Sequence, residues 1–206
     1  LPQIAGEGLA DYIDIFCEKG FFSVDESEEI LETASKYKLR IKLHTNQLYR
    51  IGGVQLGVKW SALSVDHLEN TGTEEINCLA SGNTIATLLP SAAFFIGTGY
   101  PPARELINVG VPVALATDYN PGSSPGSNMQ FVISLGCLKM KMLPEEAFNA
   151  ATINGAAAME VQHQLGTLSR GKIANIIITK PVSSLAFIPY SFSENLISRV
   201  ILNGKF

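Results

Sequence analysis

His44, His67 and Asp118 are the residues of this chain best suited to carry chemistry. Imidazole nitrogens and a carboxylate oxygen suit zinc or iron, and a catalytic metal needs about three protein ligands plus a water. A metal so held lowers the pKa of its water toward ~7 and makes hydroxide available near neutrality. Directly after the aspartate comes a polar run, Asp118-Tyr-Asn-Pro-Gly-Ser-Ser-Pro125. Its Asn120, Gly122 and Ser123 offer an amide, a backbone N–H and a hydroxyl, groups that can hold a small polar substrate or a carboxylate. Gln47, just beyond His44, can hydrogen-bond a substrate but cannot act as a general base. Ser123 and Ser124 lie in no G-x-S-x-G elbow, and no Walker or dinucleotide glycine motif occurs.

His44, His67 and Asp118 each close a short apolar run. Five such runs read as buried parallel strands: Asp11–Cys17, Arg40–His44, Ala62–His67, Thr84–Leu89 and Val111–Asp118. Their C-terminal ends carry Cys17-Glu18, His44, Asp66-His67 and Asp118, and in parallel α/β folds that edge carries the chemistry. Helical patterns follow the strands. Ser23 with Glu26 makes a capping box that opens a helix to about Tyr37, and Thr71 with Glu74 repeats it before Gly82. Pro101 and Pro102 open another helix, closed by Gly110. After the Asp118 loop, helices are expected over about Ser127–Met140 and Pro144–Glu160. The tail turns to β character at Ile173–Thr179 and Ser198–Leu202, with Gly171 and Asn203-Gly204 as turns.

This alternation predicts an α/β fold with a parallel sheet. A (β/α)8 barrel needs eight strands and typically ~250 residues. Five strand candidates therefore mean either an open sheet or a barrel whose first three strands are missing on the N-terminal side. Residues 1–164 are expected to form the barrel part, and residues 165–206 part of a small β domain.

Composition narrows the partners. The chain has 206 residues and a net charge of −4, with scattered basic side chains, so neither nucleic acid nor an anionic membrane is expected to bind. Charged residues make up 17% against ~25% in ordinary soluble domains, which implies surface covered by other protein. Cys17, Cys78 and Cys137 are odd in number and widely spaced. They read as reduced thiols of a cytosolic protein, not a disulfide framework or zinc knuckle. The uncharged stretch from Ile76 to Ala103 is interrupted by Pro90, Gly97, Gly99, Pro101 and Pro102, too often for a membrane span.

Several motifs together resemble the imidazolonepropionase family. They are Lys42-Leu-His-Thr-Asn-Gln-Leu48, Gly52-Gly53, Ser64-Val-Asp-His-Leu68, Leu88-Leu-Pro90 and Ala116-Thr-Asp-Tyr-Asn-Pro-Gly-Ser-Ser-Pro125. Asp14-Ile-Phe-Cys-Glu18, Leu165-Gly-Thr-Leu-Ser-Arg-Gly-Lys172 and Ile188-Pro-Tyr190 extend the resemblance over nearly the whole chain. It implies an amidohydrolase (β/α)8 barrel with a small composite β-sandwich. It also implies hydrolysis of 4-imidazolone-5-propanoate to N-formimidoyl-L-glutamate in histidine degradation, by metal-activated water attack on the cyclic amide. The cofactor would be one divalent metal, zinc or iron. By position His44 and Asp118 would be metal ligands, and Asp118 would also take the proton of the water. His67 would polarise the substrate carbonyl or shuttle protons. Gln47, Asn120, Gly122 and Ser123 would contact the substrate. A cytoplasmic homodimer is implied for the full-length protein. Asn46 stands where the family usually carries an acidic residue. The family's His-x-His metal pair does not occur in this sequence, which therefore resembles the C-terminal half of such an enzyme. Two other readings stand beside this one. The first is another amidohydrolase, a deaminase or cyclic-amide hydrolase; the second is a non-catalytic fragment, inactive or poorly folded alone.

Overall fold

Short β-branched runs and capped helices alternate from the N-terminus, as the computed structural model of residues 1–205 describes them. In chain order the elements are α1 (Pro2–Gly6), β1 (Tyr12–Cys17), α2 (Val24–Lys36), β2 (Arg40–Thr45), α3 (Gly53–Lys59) and β3 (Ser64–His67). Then come α4 (Thr73–Ala80), β4 (Ile85–Leu88), α5 (Pro90–Ile96), α6 (Ala103–Asn108), β5 (Val113–Leu115) and α7 (Met129–Met140). The chain ends with α8 (Pro144–Ala151), α9 (Ile153–Ala157), β6 (Ile176–Thr179), α10 (Phe187–Tyr190) and β7 (Ile197–Ile201). The larger sheet has the order β1-β2-β3-β4-β5, and β1 through β4 pair in parallel. Two compact units divide the chain, residues 1–88 with 104–113, and residues 89–103 with everything from 114 on.

In the first unit every residue of β3 and β4 is buried, as strands covered on both faces should be. Helix α2 opens on the predicted box. The Ser23 N–H donates to Glu26 Oε2 at 2.9 Å, and the Glu26 N–H returns a bond to Ser23 Oγ at 3.3 Å. Its Leu31 and Ala34 are fully buried. The box expected at Thr71 and Glu74 is displaced by one residue. Gly72 is the cap, and its N–H donates to Glu75 Oε2 at 2.9 Å. Glu75 wins the place because Arg50 also binds its carboxylate, 2.8 Å from Nη2, a tertiary contact that no local pattern reveals.

Helix α3 lies close on the sheet because its glycines have no side chain. A Cβ on Gly53 would stand 2.0 Å from Thr45 Oγ1, and one on Gly57 would stand 2.6 Å from Val65 Cγ1. Gly53→Ala is therefore expected to destabilise the chain by about 1–3 kcal/mol, the usual cost of overpacking, read as a lower urea midpoint at unchanged slope. An unchanged midpoint would mean that α3 can lift off β2 freely.

In the second unit α7 starts at Asn128, whose Oδ1 accepts from the Gln130 N–H at 3.0 Å, and its Val132, Ile133 and Leu135 are buried. The single helix expected over Pro144–Glu160 is broken. Thr152 takes φ −123°, ψ −83° between α8 and α9, and its Oγ1 donates to Phe148 O at 2.6 Å. A hydroxyl that bonds back to the preceding turn weakens a helix and often bends it. Strands β6 and β7 pair antiparallel in a separate two-stranded sheet, and β7 is followed by a turn at Asn203 and Gly204, both at positive φ. Ile177, Ile178 and Val200 of that sheet are exposed. Phe206, within the expected β domain, lies outside the described residues.

The three cysteines are free, and burial raises each thiol above its ordinary pKa. For Cys137, burial and the nearby Glu145 and Glu146 push the value up to about 11. The thiolate is the reactive form, and each pKa unit is a tenfold change in its population. Alkylation of Cys137 by iodoacetamide at pH 8 is expected to be on the order of 100-fold slower than that of an exposed cysteine. Labelling at the ordinary rate would place the thiol in a less buried setting. No helix among the described residues is long and apolar enough to cross a membrane.

Candidate active site

The first unit carries His44 and His67. His44 lies near the C-terminal end of β2, and its Nδ1 is 3.0 Å from Asp14 Oδ1. In the parallel register Phe16 faces His44, so Asp14, two residues earlier, lies on the same face of the sheet. A carboxylate at Nδ1 sets the tautomer and leaves Nε2 with the lone pair, the arrangement that metal-ligating histidines adopt. The sequence reading passed over Asp14, although an acidic residue inside the otherwise apolar strand YIDIFC was the available signal. Asp66 lies opposite His44 on β3, and its Oδ1 accepts from Ser64 Oγ at 2.7 Å. Burial pushes its carboxyl above the usual range, against the pull of His44, Ser64 and Lys42.

His67 ends β3 and is only 3% exposed. Its ring stands edge-on to that of His44, with centroids 5.3 Å apart. The backbone there is strained, since His67 has φ 87° and Leu68 φ 71°. Left-handed conformations at non-glycine residues cost about 1–3 kcal/mol each and persist only where their surroundings enforce them. The enforcing contacts come from two asparagines. Asn46 Nδ2 donates to Asn70 O at 2.9 Å, Asn70 Nδ2 donates to Gln47 O at 2.7 Å, and the Asn70 N–H donates to Asn46 O at 2.8 Å. Asn46 itself takes φ 56°, which asparagine tolerates better than most residues. The loop after β2 is thus tied to the loop after β3, and buried Gln47 sits in the tie. Glu18, fully buried at the end of β1, anchors the same loop. Its carboxylate accepts from the N–H groups of Lys19, Leu48 and Tyr49, each at 3.0 Å.

The second unit carries the polar loop after β5. Asp118 takes φ 51°, and its Oδ2 accepts from Ser123 Oγ at 3.2 Å. Asn120 organises the turn. Its Oδ1 accepts from the N–H groups of Gly122 and Ser123 at 2.9 and 2.8 Å, and its Nδ2 donates to Asp118 O at 2.7 Å. Ser124 Oγ and Ser91 Oγ both donate to Thr117 O, at 2.7 and 2.8 Å, and pin the base of the loop. Asn120, Gly122 and Ser123 are therefore held together beside Asp118.

The expected residues thus fall at strand ends, with His44, Gln47 and His67 in the first unit and Asp118, Asn120, Gly122 and Ser123 in the second. In the first unit the Asp14 contact orients His44 as metal-ligating histidines are oriented, and imidazole and carboxylate donors suit a divalent first-row metal.

Comparison with known proteins extends this picture. The chain is 53% identical over 205 residues to a protein of Flavobacterium johnsoniae named imidazolonepropionase, covering all of this chain and 50% of that protein. It is 51% identical to one of the same name from Christiangramia forsetii, again with 100% and 50% coverage. The chain therefore spans about half the length of these curated relatives. Among solved structures, a zinc-bound adenosine deaminase from Xanthomonas campestris superposes with a TM-score of 0.77 over 91% of this chain and 49% of that one. At 18% identity it shares the fold alone. The sequence profile described as the amidohydrolase family matches residues 18–206, and on that match over nearly its whole length the chain belongs to this family.

Proposed function

We propose that this chain is the C-terminal half of an imidazolonepropionase, which opens the ring of 4-imidazolone-5-propanoate to N-formimidoyl-L-glutamate. The observation that carries the reading is identity above 50% along the whole of this chain to relatives of that name, in a sequence that carries two strand-end histidines and the Asp118 loop. In this reading residues 1–164 belong to the barrel and 165–206 to a composite β domain, in a cytoplasmic homodimer.

His44 and Asp118 would hold one divalent metal, zinc or iron. When bound, the metal supplies Lewis-acid activation of a water. His44 is oriented for this by Asp14. Asp118 accepts the proton that the water gives up. His67, buried beside His44, holds a proton for the substrate carbonyl oxygen as charge develops there; one well-placed donor is worth ~3–4 kcal/mol at such an oxygen. Gln47 and the N–H and hydroxyl groups of Asn120, Gly122 and Ser123 bind and orient the polar ends of the substrate. Closing water out of the loop strengthens each of these bonds.

The test is to load the intact protein with zinc or with iron and to follow loss of 4-imidazolone-5-propanoate and appearance of N-formimidoyl-L-glutamate. Purine and cyclic-amide substrates are run in parallel. Turnover of the imidazolone is expected. Turnover of a purine or another cyclic amide instead would replace the reading with a different amidohydrolase.

A further inference from the structure

Glu69 is an unused buried carboxylate. Its side chain is 1% exposed, and neither of its oxygens has a hydrogen-bond partner among the described residues. Such a group is costly unless something pairs with it. The nearest candidate is His67, whose Nδ1 is also buried without a hydrogen bond and lies 3.5 Å from Glu69 Oε1. Nothing in the chemistry assigned so far uses either atom. The pair is held together by the strained backbone at His67 and Leu68 and by the asparagine tie that closes at Asn70. The separation is a few tenths of an ångström beyond a good hydrogen bond, a gap that catalytic contacts commonly close when substrate arrives.

We propose that Glu69 is a positioning residue for His67. Its carboxylate accepts the Nδ1–H, which fixes the ring orientation and makes Nε2 the nitrogen with the lone pair. Nε2 is then the one ring nitrogen that can accept a hydrogen bond. Between the two roles considered for His67, this favours a proton shuttle over a permanently neutral donor to the carbonyl. The inference rests on the proposed hydrolysis for its consequence but not for its geometry.

The experiment compares Glu69→Leu and Glu69→Gln with the unaltered protein, all intact and zinc-loaded. The nitrogen-15 spectrum of the His67 ring is expected to show a proton on Nδ1 in the unaltered protein and in E69Q, whose amide oxygen still accepts. In E69L the proton is expected to move to Nε2. kcat is expected to fall about 10–100-fold in E69L with KM changed less than about twofold, and to recover most of the loss in E69Q. The melting temperature of E69L should change by no more than a few degrees, because the lost contact with His67 is offset by removal of a buried carboxylate that is costly to desolvate. A merely structural Glu69 would lower the melting temperature and leave the ring spectrum unchanged. A proton confined to Nε2 in the unaltered protein, or a spectrum unmoved in E69L, would overturn the proposal. If the imidazolone is not the substrate, none of the three proteins turns it over, yet the ring spectra still decide the role of Glu69.

Discussion

Asp118→Ala in the intact protein is expected to lower turnover of the imidazolone by more than about 10³-fold, the scale on which activated-water and general-base chemistry act together. Bound metal, measured by elemental mass spectrometry, should fall with it. The fold should survive, because the loop does not depend on this carboxylate. Its oxygen accepts one bond, from Ser123 Oγ at 3.2 Å, whereas the turn is built by Asn120 on main-chain groups and pinned by Ser124 on Thr117 O. Position 118 does have a backbone requirement, since its φ is 51°. Alanine tolerates that conformation less well than aspartate or asparagine. Asp118→Asn is therefore the better variant, with the backbone preference kept and the negative charge removed. It should be as inactive as the alanine variant and melt within a few degrees of the unaltered protein. Near-normal turnover in Asp118→Asn would remove Asp118 from the chemistry.

The largest expected effect on stability comes from Glu18→Ala. Three main-chain N–H groups lose the fully buried carboxylate that accepts them. A hydrogen bond to a charged group is worth about 1.5–3 kcal/mol, and water takes over part of the loss at these half-open positions, so the combined cost is expected near 3–5 kcal/mol. That is a large part of the ~5–15 kcal/mol that holds a typical protein folded. Glu18→Gln should cost less. Its single oxygen can serve Lys19 and Tyr49, which share Oε1, while its amide meets the Leu48 N–H donor to donor. Because Leu48 and Tyr49 follow directly on Gln47, KM should rise in both variants. Urea unfolding of the intact protein gives the check. A loss under 1 kcal/mol in Glu18→Ala would mean that the loop finds other acceptors.

Much of this was legible in the residues. Four of the five strand candidates match observed strands to within two residues at either end, because short β-branched and apolar stretches bounded by turn and capping residues mark them. Val111–Asp118 shrank to three residues, since its polar end belongs to the turn that Asn120 builds. The capping box at Ser23 could be read because both partners are local in sequence. The one placed at Thr71 and Glu74 was one residue off, because Arg50, distant in sequence, selects Glu75. The break at Thr152 was invisible to periodicity, which carried one pattern across two helices. In the site, ligand type and strand-end position pointed to His44, His67 and Asp118. The residues that orient them were missed. Asp14 touches His44 only through strand register, and Glu69 meets His67 only because two consecutive residues adopt left-handed conformations.

The position of Asn120 has a consequence for how the protein ages. An asparagine side chain is lost mainly when the next residue's main-chain nitrogen attacks it and closes a succinimide ring. The residue after Asn120 is Pro121, which has no N–H to attack with. Loss of the amide here would replace Nδ2, which donates to Asp118 O and Ser123 Oγ, by a second negative oxygen beside Asp118. The Asn-Pro order shields the turn from that damage. Asn203, by contrast, precedes Gly204 in an exposed turn at the end of the small sheet. A stored sample should therefore accumulate aspartate and isoaspartate at position 203 long before position 120, and it should change charge well before it changes at the Asp118 loop.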